Sequence, residues 1–417
     1  MNACNTLTKP DCLAEKPPFQ VEYRFFRTIS EAGSDWDEAA PVHNIFLQRH
    51  YLSVIERYPP TGTSFGYLVF YRQGRPAGVA LCQFKYFRGI DNIRELDTSD
   101  KREVCFYDGL AHWFKKRVAG MAAANIMICG NILLTGHHGL HLNNELFSET
   151  DAVQAVENAL CGALEIVTET EGIKIPVVLI KDVAPELTGI RERLVEEGFM
   201  EFDIQPNMVL DLPFASFEDY LGAMSTKYRT RTKRAFKKFE GIERRELSLE
   251  EIIRELPVIY RLYKEVSGSA GFNMVDLKAD YFVGMKAEFG EYFRLHGHFR
   301  EGKLVAFYST IQNHKELEAH FIGYEKSLNH EYQLYLNMLY DIIRLGIDSR
   351  SSSIIFARTA LEIKSSVGAV PRPLWNYLRH QNQFANRFTG TILDYLKPVE
   401  IWQQRHPFRE NGVEISE

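Results

Sequence analysis

Two hairpin signals of matching chemistry, 228 residues apart, constrain the fold of this chain more than any other feature. Phe70-Tyr71-Arg72-Gln73-Gly74-Arg75 and His298-Phe299-Arg300-Glu301-Gly302-Lys303 share, in order, an aromatic ring, an arginine, a polar acceptor, a glycine and a base, and 300 minus 72 gives the offset of 228. A polar-Gly pair between runs of β-type residues is turn chemistry, so each segment predicts a hairpin. One such match is common in hairpins, but here the downstream elements repeat as well. After the first hairpin come strand-like NIMICGNILLTG, a helical stretch from 151 to 171, the strand IPVVLIKDV and a helix ending at Gly198. After the second come LEAHFIGYE, the helix QLYLNMLYDIIRLGI and the strand SSIIFARTA. The doubled alternation predicts an α/β (α+β) fold of two tandem domains, each a mixed, mostly antiparallel sheet flanked by helices.

Length agrees, because 417 residues exceed what one ordinary core accommodates and chains of this size split into domains. Residues 1–20, with Pro10, Pro17 and Pro18, read as a flexible tail; 21–205 as the first domain; 206–395 as the second; and 396–417 as an extension. The boundary falls near Pro206 to Pro213, where FDIQPNMVLDL closes the first domain and leads into the second. Helices from Glu218 to Phe239 and from Leu249 to Val266 would pack beside the second sheet.

The net charge of -6 argues against a nucleic-acid binder that uses its whole surface, while leaving room for a local basic patch. Cysteines at 4, 12, 82, 105, 129 and 161 include no CxxC pair, which suits reduced, buried thiols better than a disulfide frame or a zinc site. No apolar h-region follows the N-terminus, and the longest apolar run, Ala119 to Leu134, is interrupted by Asn125, Gly130 and Asn131. It reads as buried strand, and the chain as soluble and cytoplasmic without a membrane span.

Two segments carry a family resemblance. FEDYLGAMSTKYRTRTKRAFKKFEG resembles the helix that opens the second domain in FemAB-like members of the GNAT acyltransferase superfamily, the BioF2-like acetyltransferases among them. FARTALEIKSSVGAVPRPLWNYLRH resembles the far end of that domain, with Phe356, Arg358, Lys364, Gly368, Trp375 and Tyr377 at the family's strand, arginine, lysine, glycine and aromatic positions. The resemblance covers the C-terminal half well and the N-terminal half only through the repeat. It implies tandem GNAT-like domains, an N-terminal copy that has degenerated and a C-terminal copy with the working site. It implies an enzyme that moves an acyl group to an amine of a small molecule, peptide or amino sugar. Most of the superfamily takes the acyl group from acyl-CoA; the FemAB branch takes an amino acid from aminoacyl-tRNA. Acyl-CoA, acetyl-CoA included, is the expected co-substrate, with no tightly bound cofactor, and aminoacyl-tRNA is the alternative.

The resemblance also directs attention to particular residues. Lys364 matches the FemAB-type lysine near the acyl centre, where it would stabilise a tetrahedral oxyanion. Glu318 and His320 lie on LEAHFIGYE, the strand where the fold places its reacting groups; a period of two sends Glu318, His320 and Ile322 to one face, and Ala319, Phe321 and Gly323 to the other. Glu318 and His320 are therefore an acid-base candidate pair, the plainer reading being an exposed edge or a satisfied histidine. Arg358, Glu362 and Tyr324 are candidates for binding substrate, although Arg358 and Glu362 could equally pair with each other.

The donor's phosphates have two candidate supports. Where the superfamily has a glycine-rich pyrophosphate loop, this chain reads Lys326 to Gln333 with no glycine, leaving Asn329, His330, Gln333 and backbone N–H groups for the task. KYRTRTKRAFKK places Lys227, Arg231, Arg234 and Lys238 on one helix side, either to hold a phosphate-rich donor or simply as a solvated face. His137, His138 and His141 lie in a glycine-bracketed irregular stretch, and His296 and His298 share a strand face without cysteine nearby, so no metal is expected. A second class of function stays open: a non-catalytic GNAT-like protein that holds a ligand and transfers nothing.

Overall fold

The computed structural model describes residues 22–88, 123–184, 188–268, 275–396 and 402–409; the tail expected at 1–20, and Cys4, Cys12 and Cys105, lie outside them. Two sheets form. The first runs β1 (Glu22–Phe26), β2 (Thr63–Arg72), β3 (Arg75–Arg88), β4 (Ala123–Cys129), β6 (Val177–Val183), β15 (Trp375–His380) and β7 (Met200–Asp203), with β5 (Leu140–Leu142) beside β3. The second runs β9 (Ile242–Glu246), β10 (Phe293–Arg300), β11 (Lys303–Asn313), β12 (Glu316–Tyr324), β13 (Ser353–Ile355), β8 (Asn207–Asp211) and β14 (Val370–Arg372). Each sheet is antiparallel apart from one parallel central pair, β4 with β6 and β12 with β13.

The repeated hairpins are the same object at the level of backbone geometry. Gln73 and Gly74 have φ of 53° and 74°, Glu301 and Gly302 51° and 76°, the paired positive values of a type I′ turn, which matches strand twist and favours glycine. Both hairpins also carry a bulge at the same place: Phe70 faces Gly78 while Tyr71 faces Pro76, and His298 faces Ala306 while Phe299 faces Leu304. The extra residues, Ala77 and Val305, are again 228 apart.

Helices cover the sheets. In the first half these are α1 (Ile29–Ala39), α2 (Arg49–Arg57), α3 (Glu149–Glu171) and α4 (Thr188–Glu196). Buried Ala152, Val156, Ala159, Ala163 and Val167 recur at helical spacing along α3, which Ser148 caps at its start and left-handed Gly172 closes. In the second half are α5 (Phe217–Ala223), α6 (Thr226–Lys238), α7 (Leu249–Ser267), α8 (Asp280–Phe289), α9 (Lys326–Tyr332), α10 (Leu334–Asp348), α11 (Leu361–Ser365) and α12 (Gln383–Leu396). The single helix expected over 218–239 is two: Met224 is extended, with ψ of 148°, and pairs with Phe408. Segment 402–409 thus joins the second core, Phe408 packing on Phe214 and Tyr220.

Sheet membership departs from two self-contained halves. The chain leaves the first sheet after β7 and inserts β8 between β13 and β14 of the second; it leaves the second after β14 and inserts β15 between β6 and β7 of the first. Residues 375–380, expected in the second domain, therefore belong to the first sheet. One apolar cluster spans both halves, with Trp36, Tyr51, Tyr67 and Leu81 from the first and Tyr281, Phe282, Phe293 and Phe307 from the second. Among the described residues no helix is long and apolar enough to cross a membrane.

Candidate active site

A cavity of about 800 Å³ opens between the two halves, a volume within the usual range for a small-molecule site. The second sheet supplies Asn207 and Val209 of β8, Glu316 and Glu318 of β12, and Ile355 of β13; the first half supplies Thr135, Gly136, His137 and His138 from the turn after β4; His43, His314, Lys315 and Arg372 also line it. β12 and β13 pair only from Glu316 to Glu318, so the central strands part immediately beyond Glu318.

Glu318 is 3% exposed, and its Oε1 lies 3.5 Å from Nε2 of His138, an ion-pair separation rather than a made hydrogen bond. Burial pushes the Glu318 carboxyl above its ordinary range, and His138 offsets part of that rise. The His138 ring packs edge-on against Phe46 at 4.8 Å. Among the described residues, four buried polar atoms on the lining have no hydrogen-bond partner: Glu318 Oε1, His137 Nδ1, His138 Nδ1 and Asn207 Oδ1. Burial lowers the pKa of His137. This floor offers hydrogen-bond acceptors beside a carboxylate, a setting for an amine and its protons.

The expected face alternation of β12 fails at a bulge. Thr310 faces Ala319 and Tyr308 faces Ile322, leaving His320 and Phe321 both opposite Ser309, whose hydroxyl donates to the Phe321 carbonyl at 3.2 Å and accepts its N–H at 3.1 Å. Phe321 therefore shares the side of Tyr281 and Phe282, while Ile322 joins Ala319 and Tyr324 on the other. His320 does not pair with Glu318. Its Nε2 meets the Tyr281 hydroxyl at 2.7 Å, and burial lowers its pKa to about 3, so it is a neutral core histidine.

Lys364, expected to reach freely into a cleft, is 4% exposed. Its ammonium donates to the carbonyls of Arg358 at 2.6 Å and Ala357 at 3.3 Å, and it is not on the cavity lining. It steadies a segment in which Ala357, Thr359 and Ala360 all have positive φ, which is also why the strand expected through Ala360 stops at Ile355. Arg358 and Glu362 do not pair with one another: Arg358 binds Asp182 and donates to the Gln205 carbonyl at 2.8 Å, and Glu362 binds Arg405 at 2.6 Å. Tyr324 is half-buried near Tyr335.

The glycine-free stretch expected as a loop is helix α9. Asn329 uses Oδ1 to accept the Tyr335 N–H at 2.9 Å, Gln333 turns left-handed to start α10, and His330 is exposed with its carbonyl accepting from Lys238 at 3.2 Å. On α6, Lys227, Arg231, Arg234 and Lys238 are exposed while Tyr228, Thr232 and Ala235 are buried. No cluster of three or more His, Cys, Asp or Glu suited to a metal occurs among the described residues. From sequence, His138 stands out only as a metal-ligand candidate; its pairing with Glu318 joins residues 180 apart, and its one local signal is the glycine-bracketed turn.

Compared by sequence, the chain matches no family profile and no curated protein. Compared by structure, it aligns with FemX over 88% of this chain and 100% of that one, with a TM-score of 0.53 at 12% identity. The chain has a FemAB-like, tandem GNAT fold. A tandem GNAT protein from the clavulanic acid biosynthesis pathway aligns over 87% of this chain and 99% of its own, at 11% identity and a TM-score of 0.47. L-PGS from Bacillus licheniformis aligns over 82% and 94%, at 12% identity and a TM-score of 0.44. Within the FemAB-like fold, β12, α10 and β13 are the central strand, helix and parallel strand of the second domain, and β4, α3 and β6 those of the first.

Proposed function

We propose that the chain is an acyltransferase, moving an acyl group from an activated donor to an amine bound in the inter-domain cavity. The observation that carries this reading is the lining of that cavity: a buried carboxylate 3.5 Å from an imidazole, on a lining where His137 Nδ1, His138 Nδ1 and Asn207 Oδ1 have no hydrogen-bond partner among the described residues. In this reading the amine nitrogen attacks the acyl carbonyl carbon, the new C–N bond forms as the bond to the leaving group breaks, and Glu318 takes the proton the nitrogen sheds. His138 stabilises the carboxylate and can pass that proton to the leaving group.

Acyl-CoA is the donor to test first. A specific observation favours a second reading, transfer from aminoacyl-tRNA: Asn329 already occupies the Tyr335 N–H at the start of α10, where a pyrophosphate would otherwise rest, and α6 presents an exposed basic side. A thermal-shift screen of donors decides, since ligand at a hundredfold over its Kd adds about 2.7 kcal/mol. Transfer to an amine by the wild-type chain that is lost in Glu318→Gln supports the proposal; a Glu318→Gln chain as fast as wild type removes it.

A further inference from the structure

The turn that carries His138 is gripped from across the molecule. Asp182 lies at the end of β6, fully buried, with φ of 60°. It sits in a bulge: Trp375 faces Val183 and Tyr377 faces Ile180, so Lys181 and Asp182 together oppose Asn376. Bulges re-aim side chains and gather beside active sites. Here the bulge turns the Asp182 carboxylate toward three donors from three parts of the chain. One oxygen accepts from Lys181 and from the Gly136 N–H at 3.0 Å; the other accepts from Arg358 of the second half. Asn376 Oδ1 accepts the Asp182 N–H at 3.2 Å, and the same arginine reaches the Gln205 carbonyl. Burial would push the Asp182 carboxyl up, but Lys181 and Arg358 pull it further the other way, to about 2.

Gly136 is two residues from His138, and the two are joined by a tight turn in which the His138 N–H donates to the Gly136 carbonyl at 2.9 Å. Gly136 has φ of 128°, and a Cβ there would lie 2.7 Å from His138 Nε2, so the ring occupies space that only glycine at this position leaves open. We propose that Asp182 is a positioning residue: with Arg358 as its anchor in the second half, it holds the Gly136–Gly139 turn so that His138 faces Glu318. The His138–Glu318 pair is therefore assembled only while the two halves are latched through Asp182 and Arg358. The proposal rests on the acyltransferase reading only for its effect on rate.

The test uses the full chain with isotope-labelled histidine, His138 being assigned by its loss in His138→Gln. In wild type, Glu318→Gln moves the His138 ring nitrogen signals. In the double variant Lys181→Met/Asp182→Asn, which leaves the buried network at the same net charge of one positive, Glu318→Gln should leave those signals unmoved. The milder Arg358→Lys keeps the charge but not the planar fork and should reduce the response without abolishing it. In the double variant kcat should fall by about a hundredfold, the typical cost of an ångström-scale misplacement, with KM for the amine little changed. A full His138 response in either folded variant overturns the proposal. Should no transfer be detectable in wild type, the histidine signals alone decide, and only the functional reading fails.

Discussion

A carboxyl group raised by burial leaves a mark on stability as well as on rate. Because Glu318 holds its proton more tightly folded than unfolded, the unfolded chain binds fewer protons across the window above the ordinary carboxylate range, and stability at this position falls as pH rises through it. Glu318→Gln has no such loss, so its melting temperature should gain on wild type between acidic and neutral pH, while its transfer rate falls by about a hundredfold or more; parallel melting curves at all pH values would contradict the assignment. Lys364 is different. With its ammonium on two carbonyls, Lys364→Ala should lower stability by about 1–3 kcal/mol, measured by denaturant unfolding, before any effect on chemistry is considered. Glu318 was singled out because the family resemblance puts reacting groups on its strand, whereas the His320 partner that strand periodicity assigned to it lies on Tyr281 instead. The pairing of His138 was not legible, since nothing local in Gly-His-His-Gly reveals a partner 180 residues on, and Lys364 was expected to reach into a cleft because its burial depends on the positive φ values of Ala357, Thr359 and Ala360, which the sequence does not show.

Elements whose instructions are local were readable in advance. Both hairpins follow from a polar-Gly pair needing positive φ, and α3 follows from apolar spacing between Ser148 and Gly172. The bulge at His320 and Phe321 has no such signature, being imposed by Ser309 on the neighbouring strand, and it reversed the face assigned to Ile322. Helix α6 kept its expected polarity. If its exposed side serves a nucleic acid donor, reversing two charges in Arg231→Glu/Arg234→Glu should weaken binding of aminoacylated RNA and make the slope of log affinity against log salt shallower by about 2, leaving acyl-CoA binding untouched. An unchanged slope in a filter-binding titration would reduce α6 to a solvated face.

For the molecule as a whole, the reciprocal insertion of β8 and β15 matters more than either sheet alone. A fragment ending at Ile204 lacks β15, which is the only strand paired with β7 among the described residues and covers the open edge of β6. Expressed alone, it should show no cooperative melt and should bind apolar dyes, whereas the full chain, with one core cluster common to both halves, should unfold in a single transition by fluorescence and circular dichroism alike. The same insertion sets a timetable during synthesis. The end of β6 at Val183 precedes the end of β15 at His380 by 197 residues (380 minus 183), and at roughly 5–20 residues per second that interval is on the order of 10–40 s. Throughout it the nascent first sheet presents the hydrophobic edge Val177-Val178-Leu179-Ile180 to whatever strand arrives. β8 is made within that interval, long before β15, so correct assembly depends on β8 not occupying the place its successor is meant to take.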